Sequence, residues 1–169
     1  MEQYNHFAYG LELTQKLKLF KKEVENSFHK APNSDTLASI SNRLSDINYP
    51  VLVAIDGKDS TFADNGAESL LKTPQYFFMF LEPATDDPDA ILTAQAECEA
   101  NALQVMAVMI QHSRKYLKGL TGLQPDSFTI ASIGPIGDCL YGVIMGFTLQ
   151  SGIDYRVNKD FWNSENTES

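Results

Sequence analysis

Tyr76-Phe77-Phe78-Met79-Phe80-Leu81-Glu82-Pro83 decides how this chain folds. Its first six residues offer no polar position, so as a strand the run is predicted to be buried on both faces. Glu82-Pro83 stops it. Asp86-Asp87-Pro88-Asp89 then opens a helix, with Asp87 as N-cap, Pro88 at the first helical position and carboxylates on the positive end of the dipole. The helix is predicted to run to Lys118, with Gly119 as its stop. At ~1.5 Å per residue it spans about 45 Å, enough to cross a small domain.

The apolar residues of this helix exceed one narrow stripe. Ile91, Ala94, Cys98, Ala102, Val105, Met109 and Tyr116 form one line, and Leu103, Met106, Ile110 and Leu117 widen it. Two readings follow: packing on a sheet, or surplus width, including Met109, that meets another subunit. His112, near the helix end, is expected to meet terminal carbonyls.

Upstream, Leu13, Leu17, Phe20, Val24 and Phe28 recur at helical spacing, with lysines and glutamates on the opposite face. His6 falls in an expected frayed start. Ala31-Pro32-Asn33 breaks the helix. Ser34 or Asp35 then caps a second one with the stripe Leu37, Ile40, Leu44 and Ile47, which Asn48-Tyr49-Pro50 ends. Val51 to Ile55 is a β-branched strand closed by Asp56-Gly57. Positions 58–72 carry turn residues and read as a long inter-strand loop, a candidate partner contact through Asp59, Phe62 and Asp64. Asp56, Asp59 and Asp64 lack the alternate spacing of a calcium loop, so no metal site is assigned.

Downstream, Ser127 to Ile133 alternates as a half-buried strand, Gly134 to Asp138 supplies a turn, and Cys139 to Leu149 returns as the partner. Gly142 and Gly146 inside that partner indicate bulges or a close backbone approach. Neither they nor Gly134 and Gly137 make a phosphate loop, because the dinucleotide spacing and the following helix are missing. Positions 156–169 form a polar tail in which Phe161-Trp162 is the exception, either anchoring a partner or folding back. The predicted fold is α+β: a two-layer sandwich, with a mainly antiparallel four-stranded sheet and helices on one face. Residues 1–155 make a single domain, with a helical N-terminal segment at 7–48.

Composition narrows the function. The chain has 169 residues, 43% of them apolar, with net charge −9 and a pI near 4.7. That acidity opposes nucleic-acid binding, which needs clustered cations on phosphate. Lys16, Lys18, Lys21 and Lys22 read as a solvated helix face, while Arg114, Lys115 and Lys118 complement a helix terminus. Cys98 and Cys139 read as small buried hydrophobes. No signal-like or membrane-spanning run stands out, so the chain is expected to be cytoplasmic when made. His6, His29 and His112 are scattered, and no nucleophile, metal-ligand or phosphate-loop pattern accompanies them. No catalytic residue, cofactor or metal is assigned, and no enzyme activity is expected.

The order of elements resembles that of bacteriophage tail-terminator or tail-completion proteins. A leading helix precedes a strand at Tyr49-Pro50-Val51-Leu52-Val53. A loop, an apolar strand and a long helix follow over 58–117, and a closing hairpin carries Tyr141-Gly142-Val143-Ile144-Met145-Gly146-Phe147. The resemblance implies a non-enzymatic ring subunit at the head-proximal end of a tail. Its partners would be further copies of itself and other tail or head proteins, and its final location the virion. A small-molecule-binding or enzymatic α+β domain of bacterial metabolism is the competing class.

Overall fold

The computed structural model describes residues 3–20, 26–31, 37–56, 60–64 and 70–153, the backbone alone at 37–39. In chain order these form α1 (His6–Lys16), β1 (Phe28–Ala31), α2 (Leu37–Leu44), β2 (Val51–Ile55), β3 (Ser60–Asp64) and β4 (Leu70–Pro83). Then come α3 (Pro88–Arg114), a short 3-10 turn (Pro125–Ser127), β5 (Thr129–Ile136), β6 (Leu140–Thr148) and β7 (Ser151–Ile153).

β4 is the central strand, and its apolar run does what its sequence requires. Phe78 and Phe80 point into one hydrophobic cluster with Leu52, Ala54, Val143, Met145 and Phe147. Met79 and Leu81 point into another with Val51, Val53 and Ile55. All four residues from Phe78 to Leu81 are at most 1% exposed. β2 and β6 pair antiparallel with β4 on either side, giving the order β1-β2-β4-β6-β5, while β3 and β7 add along the leading half of β4.

Asp87 caps α3 as its sequence indicates, its side chain accepting from the Ala90 N–H at 3.1 Å. Ala94, Cys98, Ala102, Val105 and Met109 are the buried line of α3, and the last four join the Phe78/Phe80 cluster. At ~1.5 Å per residue the helix is about 40 Å long. It ends before Gly119, because Tyr116 already takes a left-handed φ of 58°. Gly142 on β6 permits the close approach of this layer. A Cβ there would stand 1.9 Å from the Phe80 carbonyl oxygen and 3.1 Å from Cys98 Sγ. The irregularity in pairing lies instead on β5, between Ile133 and Ile136.

Three expectations are corrected. The sheet has seven strands among the described residues and is mixed, because β1 pairs parallel to β2. Helices cover both faces. α1 and α3 supply Tyr9, Leu13 and the last four of the α3 line to one cluster, while Ile40 and Leu44 of α2, with Ile47 just beyond it, enter the other. The first helix stops at Lys16, so Phe28 belongs to an edge strand and not to a helical stripe. The parallel pair and the helix on the second face share one cause. Two parallel neighbours need a crossover, and β1-α2-β2 places its helix on a sheet face. α1 and α3 already occupy the other face. The Ser41 Oγ that accepts from the Gly137 N–H at 3.1 Å ties α2 to the β5–β6 turn. The caps expected at Ser34 or Asp35 and the tail at 156–169 lie outside the described residues.

Phe80→Asp is expected to abolish soluble folding, since an unpaired carboxylate on this strand costs more than ~4 kcal/mol, a large share of a domain's stability. Circular dichroism of the soluble fraction checks it; a cooperative native-like unfolding transition in the variant contradicts the placement.

Candidate functional site

β2 and β3 both run antiparallel to β4, with registers Val51↔Leu81 to Ile55↔Phe77 and Ser60↔Pro74 to Asp64↔Leu70. They follow one another along the same side of β4, so β2, β3 and β4 make one long antiparallel ladder. Its inner half lies within the main sheet. Its outer half, β3 with the start of β4, is an arm of roughly 17 Å at ~3.3 Å per residue. β7 covers the far side of the arm through Leu70↔Ile153 and Lys72↔Ser151. Pro74 sits where β4 changes partners, and its carbonyl accepts from the Leu149 N–H at 3.3 Å.

The arm displays Phe62, which is 59% exposed. Phe62 stands directly across from Lys72, so both side chains leave the same face of the arm. By strand alternation that is the face of Pro74, Tyr76 and Phe78.

At the root of the arm, on this face, two cavities lie side by side. The larger, of about 460 Å³, is lined by Pro74, Leu149 and Gly152 and by the turn Gly119–Gly122. The smaller, of about 350 Å³, is lined by Asn5, His6, Phe7 and Asp56. Gln3, Tyr4 and Tyr76 form the wall between them. Tyr4 meets Tyr76 edge-on at 5.3 Å between ring centroids, and Tyr76 stacks on Phe147 at 5.7 Å. Gly119 is required at the floor: its φ is +68°, and a Cβ would fall 2.2 Å from the Tyr4 nitrogen.

His6 fixes this wall. Its Nε2–H donates to the Phe77 carbonyl at 2.9 Å, and its Nδ1 accepts from the Tyr4 hydroxyl at 2.9 Å. Its ring stacks on Phe78 at 4.3 Å. Burial holds the imidazole neutral, lowering its pKa to about 4 against the pull of the backbone carbonyls. With both nitrogens engaged, His6 serves as a strut. Burial likewise pushes the Tyr4 hydroxyl far above its ordinary value, and Asp56 adds to the effect. Asp56 raises Tyr76 as well, after burial. The ion pairs among the described residues go to Glu12, from Lys118 at 2.8 Å and from Lys16. Asp56 and Lys72 therefore stand without an ionic partner there.

Of the residues expected to make contacts, Phe62 and Asp64 are brought together on one exposed face of β3. Met109 is wholly buried against the sheet, so it faces no partner. Asp59, Phe161 and Trp162 lie outside the described residues. The surplus width of α3 is real but sits elsewhere, at exposed Leu92, Leu103 and Val108. His112 bonds the Tyr9 hydroxyl at 3.1 Å through its own Nδ1, so its ring pairs with a side chain and not with helix-end carbonyls. Cys98 is a fully buried thiol that burial pushes up to about 12, and half-buried Cys139 donates to the Ile47 carbonyl at 3.6 Å. Tyr4, His6, Asp56 and Tyr76 are the residues that sequence reasoning missed. For His6 the signal was the spacing His6, Tyr9, Leu13, a helical stripe that starts at the residue set aside as frayed.

No protein-family model matches the chain, and no curated protein matches it either. No helix among the described residues is long and apolar enough to cross a membrane.

The His6 pKa sets a pH dependence. Unfolded histidine takes up its proton near pH 6.5 and the folded ring only near 4, so the unfolded chain binds more protons between these values. Stability is full above the upper value and falls as pH drops toward the lower one, by roughly 3 kcal/mol from this group. Thermal unfolding followed from pH 7 to 4 should show that loss, and His6→Phe should flatten it. An unchanged slope in the variant contradicts the role given to His6.

Proposed function

We propose that this chain is a non-enzymatic structural subunit that works through self-association and contact with other assembly proteins, a ring-forming protein of the bacteriophage tail-terminator kind. The observation that carries the proposal is the β3–β4 arm, the end of the sheet at which the aromatic Phe62 is left exposed to solvent. Ordering a projecting strand and exposing an aromatic both cost free energy, and a partner surface offsets both costs. The element order, with its apolar central strand and long helix before a closing hairpin, supports the family comparison. A subunit with a projecting contact and a receiving surface at different places repeats that contact from copy to copy, and such contacts close into a ring when the rotation between copies closes.

The cleft of about 460 Å³ favours a second reading, a small-molecule-binding domain, because its size falls within the range of ligand sites. The two readings separate in solution. Native mass spectrometry and light scattering over a concentration series are expected to give a discrete closed oligomer. A monomer at every concentration, together with a saturable small-molecule ligand, would overturn the structural reading.

A further inference from the structure

We infer that the occupant of the paired cavities is the β3–β4 arm of a second copy of this chain, with Phe62 entering the aromatic cleft and Lys72 meeting Asp56. The inference rests on the self-association reading and names its contact.

The arm and the cavities match in chemistry and in layout. Phe62 and Lys72 are directly opposed cross-strand neighbours, so an apolar ring and an ammonium leave one face about 5 Å apart. The two cavities are also neighbours, sharing the Tyr4 and Tyr76 wall. One is floored by glycines and walled by Pro74, Leu149 and tyrosine rings, a surface that takes an aromatic side chain. The other holds the Asp56 carboxylate beside those rings, a setting for a cation.

Within one copy the two groups are set apart along β4. Asp56 follows Ile55, which pairs with Phe77, whereas Lys72 lies five residues earlier on β4. Continuing the register sets Asp56 across from Tyr76, four residues from Lys72, roughly 13 Å along an extended strand and longer than a lysine side chain. Lys72 and Asp56, neither of them in an ion pair among the described residues, are thus complementary between copies. In an acidic chain of net charge −9, a specific Lys–Asp contact also counters the general repulsion between subunits.

The test uses charge exchange in the full chain, with oligomer mass as the readout. Phe62→Ala and Lys72→Glu should each weaken assembly at least ~tenfold, the scale of losing a central contact residue. Asp56→Lys should do the same. Mixing the Lys72→Glu and Asp56→Lys chains should restore assembly, because each arm then meets a socket of opposite charge. If circular dichroism shows Asp56→Lys misfolded, Asp56→Asn takes its place and should weaken assembly at low salt. An oligomer that survives both Phe62→Ala and Lys72→Glu overturns this contact and leaves self-association standing. A wild-type chain that stays monomeric overturns both.

Discussion

Phe78 and Phe80 leave one face of β4, Met79 and Leu81 leave the other, and none of the four is more than 1% exposed. The rest of the structure depends on covering that strand from both sides. Each fully buried side chain of this size contributes about 1.5–3 kcal/mol, so an uncovered face would forfeit a large fraction of a domain's net stability. α1 and α3 cover the phenylalanine face, and α2, brought round by the β1–β2 crossover, covers the methionine face. β2 and β6 satisfy the backbone of β4 on its two edges.

β4 is also longer than the layers that cover it. Its fourteen residues outrun the pairing of β2 at Phe77 and of β6 at Gln75, and the excess continues as the arm. The change of partners at Pro74 opens the space that Tyr4, Tyr76 and the Gly119–Gly122 turn line as a cleft. One strand thereby fixes the core, the projecting arm and the cleft at its root. His6 links them, since it stacks on core Phe78 while holding Tyr4 in the cleft wall.

Much of this frame is legible in the residues, and the exceptions have physical causes. Asp87-Pro88 states the start of α3 because capping is local chemistry, and Tyr76 to Leu81 states two-sided burial because no polar atom interrupts it. That same run already demanded cover on two faces, so helices on one face were inconsistent with it. β1 was hidden because Phe28 stands at helical spacing from Phe20 and Val24, and periodicity alone does not locate the break. The arm was hidden because strand pairing is non-local. Ser60 to Asp64 is a strand through its register with Leu70 to Pro74, while its own composition is that of a loop. The cleft combines Tyr4, Asp56, Tyr76 and Gly119, four positions that share no spacing in the chain.

The central functional claim is that the arm is a contact surface between copies. Hydrogen exchange measured at low and high protein concentration tests it most directly, because it reads the arm and the core in one experiment. The amides of β3 and of Leu70 to Thr73 are expected to gain protection as concentration rises, while those of Phe77 to Leu81, already buried, stay constant. Arm amides that exchange at the same rate at both concentrations would contradict the account.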